Sequence, residues 1–303
     1  MGRLTKSFGR SVARVRISSN VTRTKYLVQC ALSAVRMMLL LFALAFLLPL
    51  ALHGLWWLSK DHPGNWRAAD WSSTRLLPPA AEARQALVLV FAAPAGRWKG
   101  AFSVHSWIVV KEKDAPTYTR YDVAGWGKPV KIDNWAPDAR WYGNTPQLVA
   151  AIEGPHAERL ISKIRSAVAE YPHNNPGDYR VWPGPNSNTF VAYVLAEVPE
   201  AQIALPSNAI GRDFRGSGIY LGASPTRTGI QVSIAGLLGL TLAWVEGIEV
   251  NVLGLVAGID FRQLAIKLPG WGSVPLLPWL RASADAPALS GELKAQSGDP
   301  ARD

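Results

Sequence analysis

Three side chains suited to hydrolytic chemistry are spread along the chain: an imidazole at His105, a carboxylate at Asp122 and a hydroxyl at Ser187. A serine hydroxyl attacks a carbonyl carbon only if a base removes its proton, and an imidazole oriented by a carboxylate is such a base. His105 sits in an alternating segment, 101–111. Phe102, Val104, Ser106, Ile108 and Val110 share one strand face there, and Ser103, His105, Trp107, Val109 and Lys111 share the other. A second strand, 118–124, follows a turn at Lys113 and Asp114. Pairing the two strands about that turn sets His105 opposite Asp122, whereas a slip of one residue would present Tyr121 or Val123 instead. Arg120 lies on the same strand face as Asp122 and offers the carboxylate a competing partner.

Ser187 belongs to the turn Trp182-Pro183-Gly184-Pro185-Asn186-Ser187-Asn188-Thr189-Phe190. Asn186 is expected to cap a helix, which puts Ser187 at its first position, where the helix dipole favours negative charge. Asn186 and Asn188 are candidate donors to an oxyanion or a polar ligand, and Trp107 and Trp182 are candidate walls of a binding groove. His156 and His173 have no ligand-like spacing, so no metal site is expected, and no cofactor-binding motif is present. Cys30 is the sole cysteine, which excludes an internal disulfide, a cysteine zinc cluster and a thiol nucleophile in the globular part.

The elements that must hold these residues read as an α+β domain. Residues 87–92 form a continuous apolar run, hence a buried strand, and 101–111 with 118–124 form a hairpin. Residues 125–155 read as loop. Leu160, Ile161, Ile164, Ala167, Val168 and Tyr171 make a helical stripe stopped by Pro172, and Phe190, Val191, Val194, Leu195 and Val198 make a second one stopped by Pro199. Strands fill 217–266. The apolar runs between glycines in 228–258 read as buried strands of a meander, and a lipid-facing structural protein is the implication if that stretch is helical instead.

The 303 residues carry a formal charge of +10. Residues 1–36 hold eight basic side chains and no acidic one, leaving 24 basic and 22 acidic over the rest, so a nucleic-acid surface has no support. Residues 37–59 are free of charge and long enough for one transmembrane helix, with Trp56 and Trp57 at the far end. No small-x-small cleavage site follows, which favours an uncleaved anchor over a signal peptide. The basic flank predicts a cytoplasmic N-terminus and a periplasmic body at a bacterial inner membrane. The organisation expected is a basic tail (1–36), a transmembrane helix (37–59), a linker (60–84), the globular domain (85–280) and a disordered tail (281–303).

The order of a strand His, a neighbouring carboxylate and a helix-start nucleophile resembles circularly permuted papain-like amidases and peptidases of the NlpC type, with Ser187 where those enzymes place cysteine. The resemblance implies an antiparallel sheet with packed helices. More closely, 85–270 resembles a bacterial family known as domain of unknown function 3750. That similarity rests on His-Ser-Trp-Ile-Val-Val-Lys (105–111), Tyr-Asp-Val-Ala-Gly-Trp-Gly (121–127) and Trp-Tyr-Gly-Asn (141–144), then on the Pro-Gly-Pro-Asn-Ser-Asn-Thr-Phe element, Leu-Pro-Ser-Asn-Ala-Ile-Gly-Arg-Asp-Phe (205–214) and 236–255. Together these readings lead to a membrane-anchored envelope protein, held by the lipid bilayer, with a candidate Ser/His hydrolase site for an amide or ester bond in wall peptide, lipoprotein or lipid. The alternative is a catalytically inactive binding module or a structural envelope protein.

Overall fold

A computed structural model describes residues 25–277; the basic tail before Lys25 and the expected C-terminal tail lie outside the described residues. The chain folds as α+β with two antiparallel sheets behind one N-terminal apolar helix.

That helix, α1 (Lys25–Leu58), is long and apolar enough to cross a membrane and starts twelve residues before the expected 37. Pro49 has no N–H to give the Ala45 carbonyl, and one wider π turn, Ala43–Leu47, takes up the mismatch. The end of α1 is fixed to the body. Trp57 is buried against Gly100, and His53 Nδ1 meets the Ala101 carbonyl at 2.7 Å. Trp271 donates its indole N–H to the Pro49 carbonyl at 3.0 Å.

The first sheet comprises β1 (Leu87–Pro94), β2 (Val104–Lys111), β3 (Thr119–Val123), β4 (Val130–Ile132) and β5 (Gln147–Glu153), in the order β4-β3-β2-β1-β5. Strands β4 and β5 arise inside the segment expected to be loop; β5 pairs beside β1, so β1 is a central strand with both edges bonded. Helices α2 (Gly154–Ala169) and α3 (Ser187–Glu197) cover one face, packing Leu160, Ile164, Phe190 and Val194 on Val88, Val90, Ile108, Val110, Tyr121 and Val123. The other face carries Leu87, Leu89, Phe91, Trp107 and Val109, covered by Leu77, Ala83 and Trp141. Residues 60–84 have no regular helix or strand, and they are strapped down. The buried Asp138 carboxylate accepts from Ser73 Oγ and from the amides of Leu76 and Leu77.

The second sheet is a meander of β6 (Ile219–Ala223), β7 (Gly229–Ile234), β8 (Leu238–Ala243), β9 (Gly247–Val252), β10 (Leu255–Asp260), β11 (Ala265–Leu268) and β12 (Gly272–Pro275). Segment 228–258 is strand, as expected, but most of its apolar strand residues are not buried. Ile230, Leu240, Leu242 and Val250 face outward, while Gln231, Ser233, Thr241, Glu249 and Asn251 are buried, with Val256 among them. That polar inner face is paired with 205–214: Asp213 accepts from Gln231 and Asn251, Arg212 pairs with Glu249, and Glu249 also holds Lys267.

Candidate functional site

The hairpin register differs from the one expected. Ile108 pairs with Tyr121, Val109 with Arg120 and Val110 with Thr119, which sets Asp122 level with Trp107 rather than His105. The connection is longer than a tight turn at Lys113 and Asp114, running from the end of β2 at Lys111 to the start of β3 at Thr119. The displacement is two residues, and a shift of two keeps every side chain on its face. His105 therefore still reaches Asp122, diagonally: Nε2 lies 2.8 Å from Oδ1. The contact is a close approach of the ring to the carboxylate and lacks the alignment of a hydrogen bond.

Asp122 is held on all sides. Its Oδ2 accepts from Arg120 Nη2 at 2.6 Å and Nε at 3.1 Å, and Oδ1 also accepts from the Val123 amide. Arg120 is itself buried, lies over the Trp107 ring at 4.0 Å and gives its remaining Nη1 to the Ala136 carbonyl. The competing partner thus joins His105 on Asp122 without displacing it. Burial pushes the Asp122 carboxyl up, but the facing His105 ring and the Arg120 guanidinium outweigh it and leave the group below the usual carboxylate range. For His105 burial wins: desolvation, opposed by Asp122, brings the imidazole below its ordinary value, so it is neutral at neutral pH. A neutral imidazole beside a carboxylate is the form a general base needs.

The ring is roofed by Trp141, stacked at 3.5 Å between centroids and 5° between planes. Trp141 is in turn braced by Trp71 and Trp135, edge-on at 5.1 Å each. Tyr179 stands close by. Burial, and next the Asp122 charge, raise its hydroxyl to about 12.

Asn186 caps α3 as expected. Its side chain accepts from the amides of Asn188 and Thr189, and Thr189 Oγ1 closes the box by accepting from the Asn186 amide. Ser187 consequently occupies the first helical position. Asn188 ties this turn to β2 on both sides of His105, donating to the Val104 carbonyl at 2.8 Å and accepting from Ser106 Oγ at 2.7 Å. Ser106 and His105 point to opposite faces of β2, so the first turn of α3 meets the strand from the helical side while the imidazole lies under Trp141. Among the described residues no hydrogen bond links Ser187 to His105.

Three candidate binders have other uses. The amide groups of Asn186 and Asn188 are spent inside the scaffold, on the Val181, Val104 and Ile210 carbonyls. Trp107 has no exposed surface; it stacks on Phe91 and donates to the Pro137 carbonyl, which makes it core and not a groove wall. Trp182 is half exposed and docks its N–H on the Leu253 carbonyl, at the second sheet. Trp135, Trp141 and Tyr179 were not singled out from sequence. Their cluster of aromatics among prolines and glycines was visible, but nothing local says which ring covers which polar group.

The family described as "Protein of unknown function (DUF3750)" matches residues 85–214, which supports that family resemblance over the first sheet, both packed helices and the 205–214 segment. No curated protein and no solved structure matches the chain.

Proposed function

We propose that the 85–214 region is a Ser/His hydrolase of permuted papain-like type, cleaving an amide or ester bond in an envelope substrate such as wall peptide, lipoprotein or lipid. The observation that carries this reading is the 2.8 Å contact of His105 Nε2 with Asp122, beside a helix start bonded to both sequence neighbours of His105. Asp122 occupies the Nε2 side, which assigns proton transfer to Nδ1. Ser187 Oγ attacks the carbonyl carbon as His105 takes the hydroxyl proton. His105 then returns the proton to the departing amine or alcohol, and water releases the acyl group by the same exchange. Asn186 occupies the amides of Asn188 and Thr189, so the Ser187 N–H is the first-turn donor left for the developing oxyanion. The N-terminal helix would hold the domain at an inner membrane, and the basic residues before it favour a periplasmic body.

A specific observation favours a second reading, a binding module without turnover. The first turn of α3 meets β2 through Asn188 on the face that Ser106 presents, opposite His105, and Trp141 covers the imidazole. Fluorophosphonate labelling of the full chain in detergent separates the two. The hydrolase reading expects labelling that disappears in Ser187→Ala and falls sharply in His105→Gln. A folded protein that never labels, or labels equally in Ser187→Ala, leaves the binding module.

A further inference from the structure

The second sheet is inverted relative to a soluble one, and the inversion is complete along its cross-strand rows. One row runs Val274, Ile266, Ile259, Ile248, Leu242, Ile230, Ala223 across all seven strands. The next runs Ala257, Val250, Leu240, Val232, Leu221, and a third runs Leu255, Val252, Leu238, Ile234, Ile219. No polar or charged side chain interrupts these rows. Ile219 and Leu221 are 76% and 73% exposed. From strand spacing and rise the face covers on the order of 600 Å², at the upper limit of what a monomer leaves to water. It is flanked by Trp244 and Phe261 at one end and Trp271 at the other, all exposed. The exposed charges on the turns at its first end are Arg227 and Arg262, while the acidic residues there, Glu246 and Asp260, are turned inward and buried.

What covers this face follows from its attachment to α1. Trp271, next to β12, bonds to the Pro49 carbonyl, and its ring packs on His53 at 4.9 Å and Trp56 at 5.9 Å. If the charge-free segment spans the hydrocarbon from Met37, about 20 residues bring it to Trp56. Pro49 then lies about 10 Å inside that end of the span. The edge of the apolar sheet is thus joined to the helix at the depth of acyl chains at its Trp271 end, which leaves Trp244, Phe261 and the basic turns of the opposite end suited to the headgroup zone.

We propose that the outward face of β6–β12 lies in the leaflet of the same bilayer that α1 crosses, with acyl chains on its apolar rows and anionic headgroups at Arg227 and Arg262. This does not depend on any chemistry at Ser187. The test uses the full chain with Cys30→Ser, nitroxide-labelled at Ile219→Cys, Leu240→Cys or Lys113→Cys. The protein is reconstituted in phosphatidylethanolamine–phosphatidylglycerol vesicles, and collisions with oxygen and with a water-soluble nickel chelate are measured. Labels at 219 and 240 should meet oxygen several-fold more than nickel, and the label at Lys113, an exposed residue on the β2–β3 connection, should show the reverse. Nickel access at 219 and 240 equal to that at 113 overturns the proposal. So does spin–spin broadening at 240 that vanishes on dilution with unlabelled protein, because a second copy then covers the face.

Discussion

The Arg120–Asp122 pair makes the sharpest quantitative demand on this structure. Both side chains are 1% exposed, and among the described residues Asp122 is the one anion ion-paired with a guanidinium otherwise held by a carbonyl and two ring faces. Asp122→Ala leaves that cation buried without its counter-charge, a change that costs about 3–5 kcal/mol. Removing both charges is different in kind. Arg120→Met with Asp122→Leu abolishes two desolvation penalties along with one attraction, and leaves the Val123 amide, His105 Nε2 and the Ala136 carbonyl short of a partner, about 1 kcal/mol each, the first two of which the single substitution also orphans. The double variant should therefore be more stable than the single one by roughly 2 kcal/mol. In urea, with a slope of about 3 kcal/mol/M for a body of this size, the single substitution lowers the midpoint by about 1–1.7 M. Near-ultraviolet circular dichroism of the full chain in micelles reads this directly, since Trp107, Trp135 and Trp141 surround the pair. A single-variant cost under about 1 kcal/mol, or a double variant no better than the single, would refute the buried-pair account.

Three further outcomes follow from the geometry. The imidazole of His105 titrates below its unfolded value of about 6.5, so the unfolded chain binds that proton first; stability is full above this pH and declines as pH falls beneath it. Urea midpoints measured between pH 7 and 5 should show that slope, and His105→Gln should flatten it. Gly211 has φ +98°, and a Cβ there would lie 2.3 Å from Asn186 Nδ2. Gly211→Ala should cost on the order of 1–3 kcal/mol and disturb the α3 cap, whereas Gly218→Ala, which meets nothing within 4 Å, should be near neutral in the same unfolding assay. Glu249 sits between the buried cations Arg212 and Lys267, whose charges, against burial, hold its carboxyl below the usual range. Glu249→Gln should lose about 3 kcal/mol, and adding Lys267→Met should restore part of it; no restoration would count against the paired network.

Much of the site was legible because its cues are local. The Asn186 cap needs only an Asn before an apolar helical stripe, and it forms where expected. The strand faces of His105 and Asp122 follow from a period of two, which survives a register error of two residues. What was not legible is set by distant chain. The two-residue offset comes from the length of the β2–β3 connection, and β5 reveals itself only by pairing with β1, far earlier in sequence. Trp141 reaches His105, and the 60–84 segment becomes part of the second core through Asp138. Neither contact has a periodic signature.

The second sheet shows a different gap between pattern and fold. Alternation gives a strand its two faces but no sign to say which is inside. In β7, Ile230, Val232 and Ile234 alternate with Gln231 and Ser233, and the apolar set is the natural choice for burial. The opposite choice holds because 205–214 brings Arg212 and Asp213 against the polar set and gives its key members partners: Gln231 and Asn251 on Asp213, Ser233 on the Asp213 carbonyl, Lys267 on Glu249. A polar face so paired can be buried at little cost, while the same face half paired could not. The apolar face then has to meet something other than water. Among the described residues α1 is the one helix long and apolar enough to cross a membrane, and Trp271 joins the sheet edge to its end. The same residue types that look like a core in isolation are, on the proposed bilayer placement, equally suited to the acyl chains around α1.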